Sequence, residues 1–379
     1  MLTEGQQNPG KVQTQPLNEL QYQLPYPDEG NVISIPASTL AVHSGEVNSI
    51  VVTGDGSTIY SGGEDGAVRQ TDITPTKSSK SKPKTSAMIR TLFQGERQIL
   101  ALALSADEHL LAFARFSAIY IYDLRTSSVT VQLTKVDGRI TSLAFDPRGN
   151  ALAIGRSDGK AFVWNFGGVD AVDANNRQRL EEYVGGTSPV IRVQFHSSGR
   201  ALFVAERTGS IDVWRILQTE REAGIRDDDA QLDQRLAGNK RTSTAIPSGR
   251  LEDLWISSTS DEFVASTSDG KLYRFKTRGL KFMGQGDVAK DPLFTVTGLG
   301  GGLLGVTGRE PRLQLWCLAK DGSLSSVGRS PLFDGSLTKL VPSGDHTVLW
   351  GAQKTGNLVK FDIGWLKQSP DIIRKNQGC

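Results

Sequence analysis

The sequence is poor in the residues that most small-site chemistry depends on. Two cysteines, Cys317 and Cys379, and four histidines are spread through 379 residues. Two cysteines so far apart make no disulfide framework, and Cys317, next to Trp316, reads as a small buried residue. His43, His109, His196 and His346 are widely separated. They do not readily bring the three or four ligands that zinc needs within about 2.3 Å of one point. No apolar run approaches the length of a membrane span, and no charged-then-apolar leader follows Met1. The formal net charge of +2 is small and calls for neither nucleic acid nor an anionic membrane. These absences lead to the expectation of a cytoplasmic protein, with the nucleus left open for a eukaryote, and of no metal or other cofactor.

What the chain has instead is a repeated pattern, clearest between Gly138 and Phe166. Ile140 to Phe145, Ala151 to Ile154 and Ala161 to Phe166 are short apolar runs, separated by Asp146-Pro147-Arg148-Gly149 and Gly155-Arg156-Ser157-Asp158-Gly159. Period-2 spacing with Pro, Asp and Gly at the breaks predicts an antiparallel meander. The third run recurs around positions 71, 122, 164, 214, 275, 316 and 361, seven copies spaced 41 to 61 residues apart. Asp65-Gly66, Asp158-Gly159, Thr208-Gly209, Asp269-Gly270 and Thr355-Gly356 mark the preceding turn. Such units bury their faces only by stacking on neighbours, at the spacing of four-stranded propeller blades.

Over roughly Ala37 to Trp365 these residues resemble the WD-repeat β-propeller family. The best copies are DPRGNALAIGRSDGKAFVWN and HSSGRALFVAERTGSIDVWR. The family's Gly-His pair is reduced to His43-Ser44-Gly45. Its Trp-Asp pair survives only as Tyr122-Asp123, Trp164-Asn165 and Phe361-Asp362. The His/Ser/Trp/Asp hydrogen-bond network of typical blades is therefore expected to be incomplete in every blade. The resemblance implies an all-β, single seven-bladed β-propeller of four-stranded antiparallel blades. Its seventh blade offers only three strands, so the ring is expected to close by an N-terminal strand pairing with the C-terminal blade. It also implies a non-enzymatic scaffold that presents loops to protein partners. Two alternatives stand beside it: a propeller-fold hydrolase or lactonase, and a nucleic-acid-associated factor.

Residues 1–36, rich in Gln, Asn and Pro, are expected to form a flexible tail, with a docking motif or a strap across the propeller as the competing reading. The propeller is placed at 37–365 and a second tail at 366–379. Insertions are expected at 74–87, 167–177 and 218–244. The first carries four lysines and no acid, a feature that attracts polyanions but lacks aromatics for base stacking. The last, with Asp227-Asp228-Asp229 in a mixed charge run, is read as a solvated segment with a helical turn or two. Blade six is the weakest copy, with Gly298 to Gly302 at its first turn and Pro311 entering its third strand.

Two motifs are set aside. Gly155-Arg156-Ser157-Asp158-Gly159 fits GxSxG but leads into a strand rather than a helix, and Gly300 to Gly305 lacks the strand-turn-helix unit of a dinucleotide site. The face with more to offer carries the turns between second and third strands and those entering the first strands. It assembles Arg97, Arg115, Arg139, Arg156, Arg207, Arg250, Arg309 and Lys354, against Glu46, Glu64, Glu96, Glu206, Glu252 and Asp253. Guanidinium forks suit carboxylate and phosphate, so the expected partner is an acidic or phosphorylated peptide.

Overall fold

The structure is a computed structural model; it describes residues 12–19, 33–76, 84–134, 136–166, 179–184, 186–215, 241–257, 261–319 and 323–368. Among these residues the seven repeats fold into seven sheets, and two short 3-10 turns, Arg278–Leu280 and Gly364–Gln368, are the only helical elements. The chain divides into two compact units, residues 103–284 and residues 1–102 with 285–379.

The unit 103–284 is built mainly on the sheets of repeats two to five. In the third, Ile140–Phe145 pairs with Ala151–Arg156, which pairs with Lys160–Asn165, and that strand with Arg179–Val184, all antiparallel. Ala151–Arg156 is buried at every position but its first. A strand covered on both faces carries a continuous apolar run rather than an alternating one, which is why Ala151 to Ile154 lacks polar residues. Repeats four and five share a core in which the Phe263 ring stacks on Phe275 at 4.9 Å and meets Phe203 edge-on. Burying each such ring stabilises the fold by roughly 1.5–3 kcal/mol.

In the other unit, the sheet of repeat seven contains Leu337–Pro342, Val348–Gln353 and Asn357–Asp362, and its fourth strand is Ala37–Ala41. Ala41 lies opposite Asn357 and Ala37 opposite Phe361. Repeat one pairs Ala67–Thr76 with Lys84–Gln94 over ten positions. Its strands therefore run well into the expected 74–87 insertion, which shrinks to 77–83, outside the described residues.

The 1–36 stretch is not uniformly a tail. Gln13–Pro16 pairs with Lys84–Gln94 as a fifth strand, Asn18–Glu19 pairs with Ala37–Ala41, and Ile33–Ser34 lies parallel to Leu324–Arg329. Open strand edges recruit any extended segment able to supply backbone partners, even a polar one. Ile35 then enters the core of repeats six and seven and is fully buried. At the other end Leu366 is buried in the same core, so the 366–379 tail begins later than expected. Arg241–Ala245 is the outer strand of repeat four, which trims the 218–244 insertion; its helical turns, like residues 167–177 and Asp227 to Asp229, fall outside the described residues. Pro311 sits in the turn before Gln314–Leu318, not in the strand, and its carbonyl accepts the Phe333 N–H. Cys317 is buried as read.

One irregularity recurs in six of the seven first strands. The register with the second strand slips by one residue at Asn48, Thr141, Ile191, Glu252, Phe294 and Thr338. A bulge leaves its extra residue out of the ladder and turns that side chain aside. Several of these side chains reach the next first strand: Asn48 donates to the Ile99 carbonyl at 2.8 Å, Thr141 to Val190 at 2.6 Å and Thr338 to Val47 at 3.2 Å.

Candidate functional site

In repeats one, three and five the turn between the second and third strands is built around an acid that holds its own loop. In repeat one, Asp65 accepts from the His43 ring at 2.9 Å and from the Arg69 guanidinium at 2.6 Å, while the far ring nitrogen of His43 meets the Ser61 hydroxyl at 2.8 Å. Burial lowers the His43 pKa; Asp65 pulls it up and Arg69 down, and burial prevails. His43 Nδ1 lies 2.9 Å from Asp65 and 2.6 Å from the Arg69 guanidinium, and Nε2 lies 2.8 Å from the Ser61 hydroxyl. Burial raises the Asp65 carboxyl, but the bonds from His43 and Arg69 more than offset that and hold it well below the usual carboxylate range. The blade network expected to be incomplete everywhere is thus three-quarters present here. Its missing member is Thr71 at the tryptophan position, whose buried hydroxyl has no partner. Repeat five substitutes Ser248, which donates to Asp269 at 2.7 Å and lies 2.8 Å from the Tyr273 hydroxyl.

Repeat three fills the same place from within its own turn. Arg156 reaches Asp158 with two guanidinium nitrogens and lies over the Phe162 ring at 5.2 Å. It is only 7% exposed. The sequence reading placed Arg156 on the binding rim; the structure commits it to its own loop. The reason is local, since an arginine two residues before a turn aspartate closes a forked pair without leaving the strand.

The remaining expected residues fall into local groups. In the unit 103–284, the Ile140 N–H bonds the Phe116 carbonyl and the Ser157 N–H bonds the Arg139 carbonyl. Exposed Arg139 therefore stands between the Arg115-Phe116 turn and the Arg156 turn. Arg115 leans over Tyr120 at 5.9 Å. Phe116, absent from the sequence reading, is 47% exposed and has φ +46°. A bulky residue in that region is strained and is kept where the surroundings demand it. Arg207 and Arg250 form a second group, since the Leu251 N–H bonds the Arg207 carbonyl. The bulged residue Glu252 stands 4.0 Å from Arg207 and 3.7 Å from Arg250. Arg192, also on a first strand, lies 3.9 Å from the buried Asp253.

In the other unit, Arg97 is exposed in the turn entering the first strand of repeat two. Arg309 is paired with Asp291 at 3.7 Å. Lys354 stands 5.8 Å from the ring of Phe294, again a bulged residue. Sequence reasoning named Glu252 but not its bulge, because a one-residue slip in register leaves no mark in composition.

Among the described residues, no three of His, Cys, Asp and Glu gather as a metal site. His109, His196 and His346 each sit in a turn between a first and second strand. Gly155–Gly159 joins two antiparallel strands, and Gly300–Gly305 begins as a hairpin turn. No helix among the described residues is long and apolar enough to cross a membrane.

Comparison with known proteins matches residues 34–72 and 130–165 to the WD domain, G-beta repeat. The small ribosomal subunit protein RACK1 of Medicago sativa is 32% identical over 148 residues, covering 34% of this chain and 42% of that protein. The periodic tryptophan protein 2 homolog of Neurospora crassa is 25% identical over 131 residues, covering 34% of this chain and 13% of that protein. The chain thus spans well under half the length of these relatives. The crystal structure of RRP9 WD40 repeats aligns with a TM-score of 0.65 at 14% identity, covering 86% of this chain and 97% of that one. The structure of U3-55K aligns with a TM-score of 0.64 at 15% identity, covering 86% and 98%.

Proposed function

We propose, from the match of residues 34–72 and 130–165 to the WD domain, G-beta repeat, and from the likeness of its fold to WD40 repeat structures, that this chain is a WD-repeat protein and a non-enzymatic scaffold which presents its turns to a protein partner in a multiprotein assembly. The observation that carries this reading is Phe116, half-exposed in a strained turn with Arg115 beside it and Arg139 on the adjoining loop. Aromatic and arginine side chains on a stiff support are the residues that dominate protein interfaces. The partner segment is acidic or phosphorylated and carries one apolar residue to cover Phe116. The names of the relatives support an assembly role: one is a small ribosomal subunit protein, and another, 24% identical over 189 residues, is a U3 snoRNP-associated protein-like protein of Arabidopsis thaliana. In the unit 103–284 the proposed contacts are Arg115 and Arg139 beside Phe116, with Arg207 and Arg250 as a second group and Arg156 as a support; Arg97, Arg309 and Lys354 are the proposed contacts of the other unit. The compartment follows the assembly, cytoplasmic or nuclear.

Affinity capture compares the native chain with a Phe116→Ala/Arg139→Glu variant, and with an Arg278→Glu control on a distant exposed turn. Partners lost from the first variant and kept by the control support the reading. Partners unchanged in both would remove this turn as the contact.

A further inference from the structure

The sequence contains seven Asp-Gly pairs, beginning at Asp55, Asp65, Asp137, Asp158, Asp269, Asp321 and Asp334. Asp-Gly is a pair at which a chain can rearrange, because glycine has no side chain to hinder attack of its nitrogen on the aspartate carboxyl. Whether a given pair reacts depends on its turn. The nitrogen must be free, and the carboxyl must be able to swing onto it. Asp321 lies outside the described residues, and the other six fall into two groups.

Four pairs are locked at both reacting groups. Asp55 accepts from Thr53 Oγ1 at 2.6 Å and from Ser57 Oγ at 2.7 Å. Asp65 is held by His43 and Arg69, Asp158 by Arg156, and Asp269 by Ser248 and Thr267. Each following glycine donates its N–H to the carbonyl three residues back: Gly56 to Thr53, Gly66 to Gly63, Gly159 to Arg156 and Gly270 to Thr267, at 2.9 to 3.4 Å. All four glycines are buried.

Asp137-Gly138 and Asp334-Gly335 occupy a different turn, the one that leads into a first strand. They stand three residues before Ile140–Phe145 and Leu337–Pro342, one pair in each unit. Both carboxylates are exposed, and among the described residues neither has a hydrogen bond or an ion pair. Neither glycine N–H has an acceptor there. Gly138 and Gly335 have φ of +94° and +110°, a region that favours glycine over every other residue. The angle that requires glycine in these turns also keeps the reactive nitrogen unhindered.

We infer that Asp137 and Asp334 are the sites at which the folded chain isomerises to isoaspartate, and hence acceptor sites for an isoaspartyl carboxyl methyltransferase. In the first step the glycine nitrogen bonds to the aspartate Cγ and the Cγ–OH bond breaks. The hydroxyl leaves as water with the amide hydrogen. Water then reopens the succinimide: cleavage between nitrogen and Cγ restores aspartate, and cleavage between nitrogen and the main-chain carbonyl carbon leaves isoaspartate. Mass is unchanged overall and no other reactant is needed. The product's main chain runs through the side-chain carbons and is longer by one carbon. That lengthening falls two residues before Arg139 in one unit, and next to the buried Phe333 in the other. The inference does not depend on the scaffold reading.

The test holds the full native chain in neutral buffer below its melting temperature and samples it over weeks. Isoaspartate is located by electron-transfer fragmentation of digested peptides. Its total is measured by methyl transfer from S-adenosylmethionine with an isoaspartyl methyltransferase. Asp137 and Asp334 are expected to isomerise roughly tenfold faster than Asp55, Asp65, Asp158 and Asp269, which must first break bonds at both reacting groups. In guanidinium chloride, with the fold gone, all six are expected to converge on similar rates. Either exposed pair reacting no faster than a locked pair in the folded chain would overturn the inference. A difference that persists in guanidinium chloride would overturn it too, by tracing the selectivity to neighbouring sequence and not to the turns.

Discussion

Repeats one and three place an aspartate at the same point of the same turn, and each satisfies it differently. Asp65 is held by a histidine from 22 residues upstream and an arginine four residues downstream, so its turn ties together three pieces of chain. Asp158 is held by Arg156, two residues before it, and ties together only its own loop. The first is a structural keystone that depends on tertiary structure; the second is a local closure. A basic residue near a propeller turn is thus no guide to binding until the turn's own acid has been accounted for.

The sharpest way to separate the two is to remove the acids. Asp65→Asn leaves His43 and Arg69 without their shared acceptor in a largely buried place, and is expected to cost about 3 kcal/mol in urea unfolding. Asp158→Asn frees a guanidinium that can turn toward water, and is expected to cost about 1 kcal/mol. Equal losses would erase the distinction.

Acid should also find repeat one first. The folded His43 pKa lies below its ordinary value of about 6.5, so the folded chain binds that proton less readily than the unfolded one. Stability from this ring is complete above about pH 6.5 and is lost as pH falls through the folded value. Asp65, also depressed, adds a loss of the same sign below about pH 3.9. The urea midpoint is expected to drop between pH 7.5 and 5.5 in the native chain and to drop less in His43→Gln. Identical slopes would mean that folding leaves the proton affinity of this ring unchanged. The smallest effect belongs to the exposed pairs: Arg250→Glu, with the native side chain 67% exposed, is expected to shift stability by less than about 0.5 kcal/mol.

Much of the architecture was legible because it rests on periodicity. Seven aligned third strands and their Asp-Gly or Thr-Gly turns predicted seven sheets, and the pairing of Ala37–Ala41 with Asn357–Asp362 agrees with the count of three strands in the last repeat. The polar segment around Gln13 was read as tail because its pairing is made by backbone, to which composition is blind. Pro311 was placed in a strand because the run of apolar residues around Leu313 does not reveal where pairing starts. At the site, the sequence names residue types but not their burial or pairing. Arg156 and Arg139 look alike in sequence, yet one is buried on its own aspartate and the other exposed. Phe116's strained turn and the bulge at Glu252 needed backbone angles and register to be seen.

The pairing of Ala41 with Asn357 sets a timetable for the protein's birth. At roughly 5–20 residues per second of synthesis, the early strand waits tens of seconds for its partner to leave the ribosome. For that interval the edge of Ala37–Ala41 that pairs with Asn357–Asp362 is open to whatever strand passes. Chaperone demand should therefore centre on the first forty residues and end abruptly once the last repeat emerges.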